Sequence, residues 1–153
     1  MNIKKTIAIC ATCLLMTGCA KDRQKEAENW LQEATTQFEQ GHYDEANAAI
    51  DSIRHLYPNA IDTRRKALSL HQSIELKRTQ EELAVADSML QQVQHNLNYQ
   101  QAKVDKDKAE LRATPEELTM LTLTRMKRDS LRTQCEVLGA KIRYIHKKQK
   151  EVK

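Results

Sequence analysis

Five histidines (His42, His55, His71, His95 and His146) and four cysteines (Cys10, Cys13, Cys19 and Cys135) are the side chains of this 153-residue chain best suited to metal binding or nucleophilic chemistry. A helical zinc site needs a His-Glu-x-x-His pair, with two imidazoles one turn apart on a single face. No such pair occurs, and no two histidines stand at ligand spacing with a carboxylate or thiolate. Exposed helix positions are their expected role. Serine elbows, Walker loops and dinucleotide fingerprints are absent, and three glycines are too few for a loop that cradles phosphate. Asp105, Asp107 and Glu110 are interleaved with lysines and read as a solvated face, because an acid/base pair needs a cleft. The sequence therefore predicts no enzyme, no cofactor and no metal.

The residues that do suggest chemistry lie at the start. Lys4 and Lys5 precede a charge-free run, Thr6 to Met16, that ends Leu15-Met16-Thr17-Gly18-Cys19. Eleven helical residues reach about 16 Å, half of a bilayer core of about 30 Å, so a secretory signal peptide is the better reading than a spanning helix. The terminal motif resembles the lipobox of bacterial lipoproteins, with Met16 where Leu is usual. That resemblance implies cleavage before Cys19, a diacylglycerol on its thiol and an acylated amino group. Each buried methylene contributes about 0.8 kcal/mol, and a single chain binds only marginally, so several chains on one residue are needed for a stable anchor. Ala20 follows the cysteine, where no Asp retains the protein in the inner membrane. By resemblance to enterobacterial sorting this favours the outer membrane, facing the periplasm, with the charged Lys21-Asp22 leaving surface exposure open. An ordinary signal peptide with an incidental cysteine is the alternative.

Cleavage removes Cys10 and Cys13 and lipidates Cys19, so only Cys135 remains as a thiol. The remaining 135 residues carry 23 Lys+Arg against 21 Asp+Glu, and this near-balance gives no case for nucleic acid. Aromatics make up 4% and Pro numbers 2, while polar helix formers dominate, which predicts an all-α protein with a thin core.

The elements follow from spacing. Residues 19–25 read as a tether merging into a helix. Ala27, Trp30, Leu31, Ala34 and Phe38 then share one helical face, with Gly41 as the stop. Ala46, Ala49, Ile50, Ile53 and Tyr57 form a second face ended by Pro58, and Asn59 with Asp62 reads as the cap of a third helix. Gly41-x-Tyr43-x-x-Ala46-x-x-x-Ile50 with Tyr57-Pro58 resembles the second half of a tetratricopeptide repeat, although Glu33 and Gln37 depart from the pattern and no second copy follows. The resemblance implies one repeat-like helical hairpin within residues 26–75 and no superhelical array.

Leu76, Leu83, Leu90, Leu97, Val104 and Leu111 lie seven apart, and no Gly or Pro interrupts residues 60–113. One helix of about 50 residues is expected. Thr114-Pro115-Glu116-Glu117 then offers a capping box and a restart. A position sum of 228 places apolar residues opposite one another, as in Leu97/Leu131, Val93/Cys135 and Leu90/Leu138, with a more polar end near the turn. This predicts an antiparallel coiled-coil hairpin over residues 76–153; a parallel homodimer through the same leucines is the alternative. Cys135 reads as a small core residue, with a redox thiol or interchain crosslink as its other roles. The basic run Lys141, Arg143, Lys147, Lys148, Lys150 and Lys153 reads as a solvated helix end, with contact to anionic headgroups as its other role.

The functional expectation is a membrane-anchored envelope adaptor that binds another envelope protein through helical surfaces. The alternative is a self-associating structural spacer. Trp30, Phe38 and Tyr43 on the repeat-like hairpin, and Thr114, Leu118 and Leu121 at the far turn, are the candidate partner surfaces.

Overall fold

The computed structural model describes residues 16–152, and side chains from Asp22 to Glu151. Most of the segment expected as a signal peptide, residues 1–18, and the Cys19 side chain lie outside the described residues. Four helices and no strand occur among them: α1 (Met16–Glu39), α2 (Tyr43–Leu56), α3 (Ile61–Ala109) and α4 (Pro115–Val152). The protein is all-α. Residues 19–25 are already helical as part of α1. No described helix is long and apolar enough to cross a membrane.

Contacts divide the chain into one unit of residues 1–75 with 151–153, and a second of residues 76–150. In the first, α1 and α2 pack as a hairpin and the start of α3 lies against both. The core consists of Ala34, Ala46, Ala49, Ile50, Ile53, Ala67 and Ile74. Four of these seven are alanines, which let helix backbones approach closely and leave the larger isoleucines to fill the centre. Two polar contacts also join the helices. Buried Thr63 accepts a hydrogen bond from Gln24 Nε2 at 2.9 Å, and His71 Nδ1 meets Asn47 Oδ1 at 2.9 Å.

Gly41 closes α1. Its φ of +81° is left-handed, its N–H donates to the Phe38 carbonyl, and the His42 N–H donates to the Gln37 carbonyl. These two bonds make a Schellman motif, in which glycine is the residue without a Cβ penalty. Asp44 and Glu45 in the first turn of α2, and Arg54 and His55 in its last, complement the helix dipole. The start of α3 differs from the sequence expectation. The Arg64 N–H donates to the Ala60 carbonyl, so the cap position is Ala60 and not Asn59. The tight turn begun at Tyr57-Pro58 returns the Ala60 N–H to the Tyr57 carbonyl and buries Ala60, which moves Asn59 outside the helix.

In the second unit the remainder of α3 and most of α4 form an antiparallel hairpin. Its seam holds Ala86, Leu97, Val104, Leu121 and Leu138. Cys135 lies half-buried on the same heptad face, with a free thiol. The register differs from the 228 pairing. Cross-helix side-chain contacts join Lys103 to Glu117 (position sum 220), Arg128 to Gln94 (222) and Arg125 to Gln101 (226). Leu121 clusters with Val104 and Leu97, where the 228 pairing would set it against Asp107. The physical reason is the repeat itself. Seam positions recur every three or four residues, so a slide of one layer again sets seam against seam, and periodicity fixes the face but leaves the register to the turn.

Candidate interaction surfaces

The turn between α3 and α4 is built by two motifs. Leu111 has φ +56°; its N–H donates to the Lys108 carbonyl and the Arg112 N–H donates to the Asp107 carbonyl. This is the Schellman geometry of Gly41, here with leucine in the position that favours glycine. Leu111 is 96% exposed, so its side chain contributes no burial in return. Thr114 then starts α4 with a reciprocal capping box: its Oγ1 accepts from the Glu117 N–H at 3.3 Å, and its own N–H donates to Glu117 Oε2 at 3.1 Å. The Lys103 ammonium donates to the other Glu117 carboxylate oxygen. The hydrogen bond from Lys103, followed by the one from Thr114, holds the Glu117 pKa below the usual glutamate value. The same contact raises that of Lys103.

Beyond this turn, α4 exposes Met120, Leu123 and Met126, and Leu118 more weakly, with a shallow depression at Leu118, Thr119, Thr122 and Leu123. Of the three turn residues chosen from sequence, Thr114 is occupied as a cap and Leu118 lies outward. Leu121 is corrected: it is 4% exposed and belongs to the seam, because the register places it against Val104. Met120, Leu123 and Met126 were missed. Their signal was present in the spacing, since all three fall between the heptad positions that the seam uses.

On the first unit, Phe38 and Tyr43 stack across the Gly41 turn with ring centroids 6.1 Å apart and pack against the core. Both are half-buried there. Trp30 is 39% exposed on α1 and is the most outward of the three aromatics.

A third surface was not anticipated. Asn47 meets His71 between α2 and α3, and Ile50 and Arg54 of α2 line one groove with residues of α3. A groove of about 890 Å³ opens here, floored by Ile50 and flanked by Ile61, Leu68, Arg54, Arg64 and Arg65. His71 and Glu151 complete the lining.

Among the described residues no group of three or more His, Cys, Asp or Glu is placed to hold a metal ion. His42 and His55 make local contacts, to Gln37 Oε1 and to the Asp51 carbonyl. No family model, no curated protein and no solved structure matches the chain.

Proposed function

We propose that this chain is a non-enzymatic lipoprotein of the bacterial outer membrane, anchored through Cys19 and facing the periplasm, that acts as an adaptor for another envelope protein. The lipobox-like segment supports the anchor. The observation that carries the adaptor reading is the hairpin turn. There Leu111 holds a left-handed backbone while fully exposed, beside outward Met120, Leu123 and Met126. A left-handed leucine costs about 1–2 kcal/mol, and its exposed side chain recovers none of this within the monomer. Methionines suit such a surface because the unbranched thioether adapts to a partner's shape.

A second reading rests on another stripe. Leu123, Val137 and Tyr144 are exposed at heptad spacing on the outer face of α4 and would serve self-association of a spacer. Photo-crosslinking from position 120 or 123 in intact cells separates the two. The adaptor gives a discrete adduct whose mass is not a multiple of the chain's; the spacer gives a homodimer. Crosslinking must be accompanied by Cys19→Ser, which is expected to abolish lipid labelling and release the protein from the membrane fraction. Retention of the variant on membranes would rule out the lipid anchor.

A further inference from the structure

The groove on the three-helix unit is cationic as well as apolar, and its residues repeat along the chain. On α3, Ile61, Arg64 with Arg65, Leu68 and His71 follow at spacings of three and four. The lining thus alternates apolar and basic groups from Ile61 to His71, about 15 Å of helix. On α2, Ile50 and Arg54 repeat the alternation one turn apart. Ile61 is 58% and Leu68 46% exposed, whereas Ile50 beneath them is 2% exposed, so the apolar surface has a floor and two accessible flanks.

The cations are available. Arg54 pairs with Asp51 at 3.4 Å on the open surface, a contact of little strength. Arg64 uses one nitrogen on the Pro58 carbonyl and keeps its other donors. Arg65 takes part in no ion pair or hydrogen bond among the described residues. Glu151 is the one acidic residue in the lining.

We infer that this groove binds an acidic amphipathic helix of a partner protein, with glutamates or aspartates on Arg54, Arg64 and Arg65 and leucine-type side chains on Ile61 and Leu68. Length argues against a single phosphate or headgroup, which would engage one cation cluster and leave the rest of a 15 Å track empty. The backbone argues against an extended strand. The groove walls are helices whose amide groups are already bonded, so recognition falls to side chains at helical spacing. This surface is separate from the hairpin turn, and the inference stands whether or not the chain is lipidated.

The test uses the whole protein in neutral detergent and a fluorescent helical peptide of about ten residues with leucines one turn apart and glutamates between them. Binding is read by anisotropy, with folding of each variant checked by circular dichroism. The expected result is saturable binding that weakens with salt. It falls about tenfold or more in the exposed double variant Arg54→Glu/Arg65→Glu, and again in Leu68→Asp. A peptide with glutamine for every glutamate is expected to bind about as weakly as the double variant does. Equal binding of the glutamine peptide, or no loss in the arginine variant, would overturn the inference. So would arginine-dependent capture by phosphatidylglycerol vesicles with no peptide binding, since that would make the groove a lipid site. Loss of lipid labelling in Cys19→Ser has no bearing on these outcomes.

Discussion

Leu111 and Gly41 occupy the same left-handed position of the same helix-ending motif, at φ +56° and +81°. Opposite consequences follow for substitution. Leu111→Gly is expected to stabilise the protein by about 1 kcal/mol, because glycine adopts this conformation without the steric cost of a Cβ. Gly41→Ala is expected to destabilise it by a similar ~1 kcal/mol. No atom lies within 4 Å of the Cβ it would gain, so the effect is one of backbone conformation alone. Urea denaturation of the two variants measures both. If Leu111→Gly also lowers the hairpin-turn crosslink, the leucine is retained for binding at the expense of stability. Gly41 was readable as a stop from its residue type. Leu111 was not, because a leucine in heptad phase signals a seam position, and only the chain's reversal after Ala109 takes it off the helix.

At the scale of the element, the start of α4 was legible in detail and its register was not. Thr114 and Glu117 form the capping box their spacing predicts, and Thr114→Ala is expected to cost about 1 kcal/mol. The link from Lys103 to Glu117 adds a dependence on pH. The lowered Glu117 pKa gives a contribution that is full above the usual glutamate value and is lost as pH falls through the lowered one. The raised Lys103 pKa gives one that is full below the usual lysine value and is lost as pH rises through the raised one. The melting-temperature gap between the native chain and Lys103→Met should therefore be widest near neutrality and should close toward acid. A gap independent of acidification would show that the ammonium contributes packing and no charge. Register decides a second pair of variants. Leu121→Ala opens the buried cluster with Val104 and Leu97 and is expected to cost about 2–4 kcal/mol. Leu123→Ala, two residues on and outward, should stay within about 0.5 kcal/mol. Reversal of that order would put Leu123 and not Leu121 in the seam.

For the whole molecule, the question is whether the leucine repeat is spent inside one chain. In the hairpin the seam is shared between α3 and α4, with Ala86, Leu97 and Val104 from one helix and Leu121, Leu138 and Ile145 from the other covered without a second copy. The outward apolar residues of α4 are interrupted. Ser130 lies between Leu123 and Val137 at the heptad step, and Arg132 and Asp129 pair on the exposed surface. A stable two-stranded coiled coil needs apolar residues at both alternating seam positions over successive heptads, and the outer face of α4 does not supply them. Light scattering of the chain from Ala20 onward, with reductant, is therefore expected to give the monomer mass across concentration. A reductant-independent dimer would favour the spacer, with the leucine stripe meeting another copy. A dimer formed only without reductant would place the half-buried Cys135 thiol within reach of a second chain. A monomer removes the spacer's main requirement, since a filament or layer cannot form from chains that do not associate. The exposed turn, and the flanks of the groove between α2 and α3, then remain as surfaces whose outward apolar side chains the described residues leave uncovered.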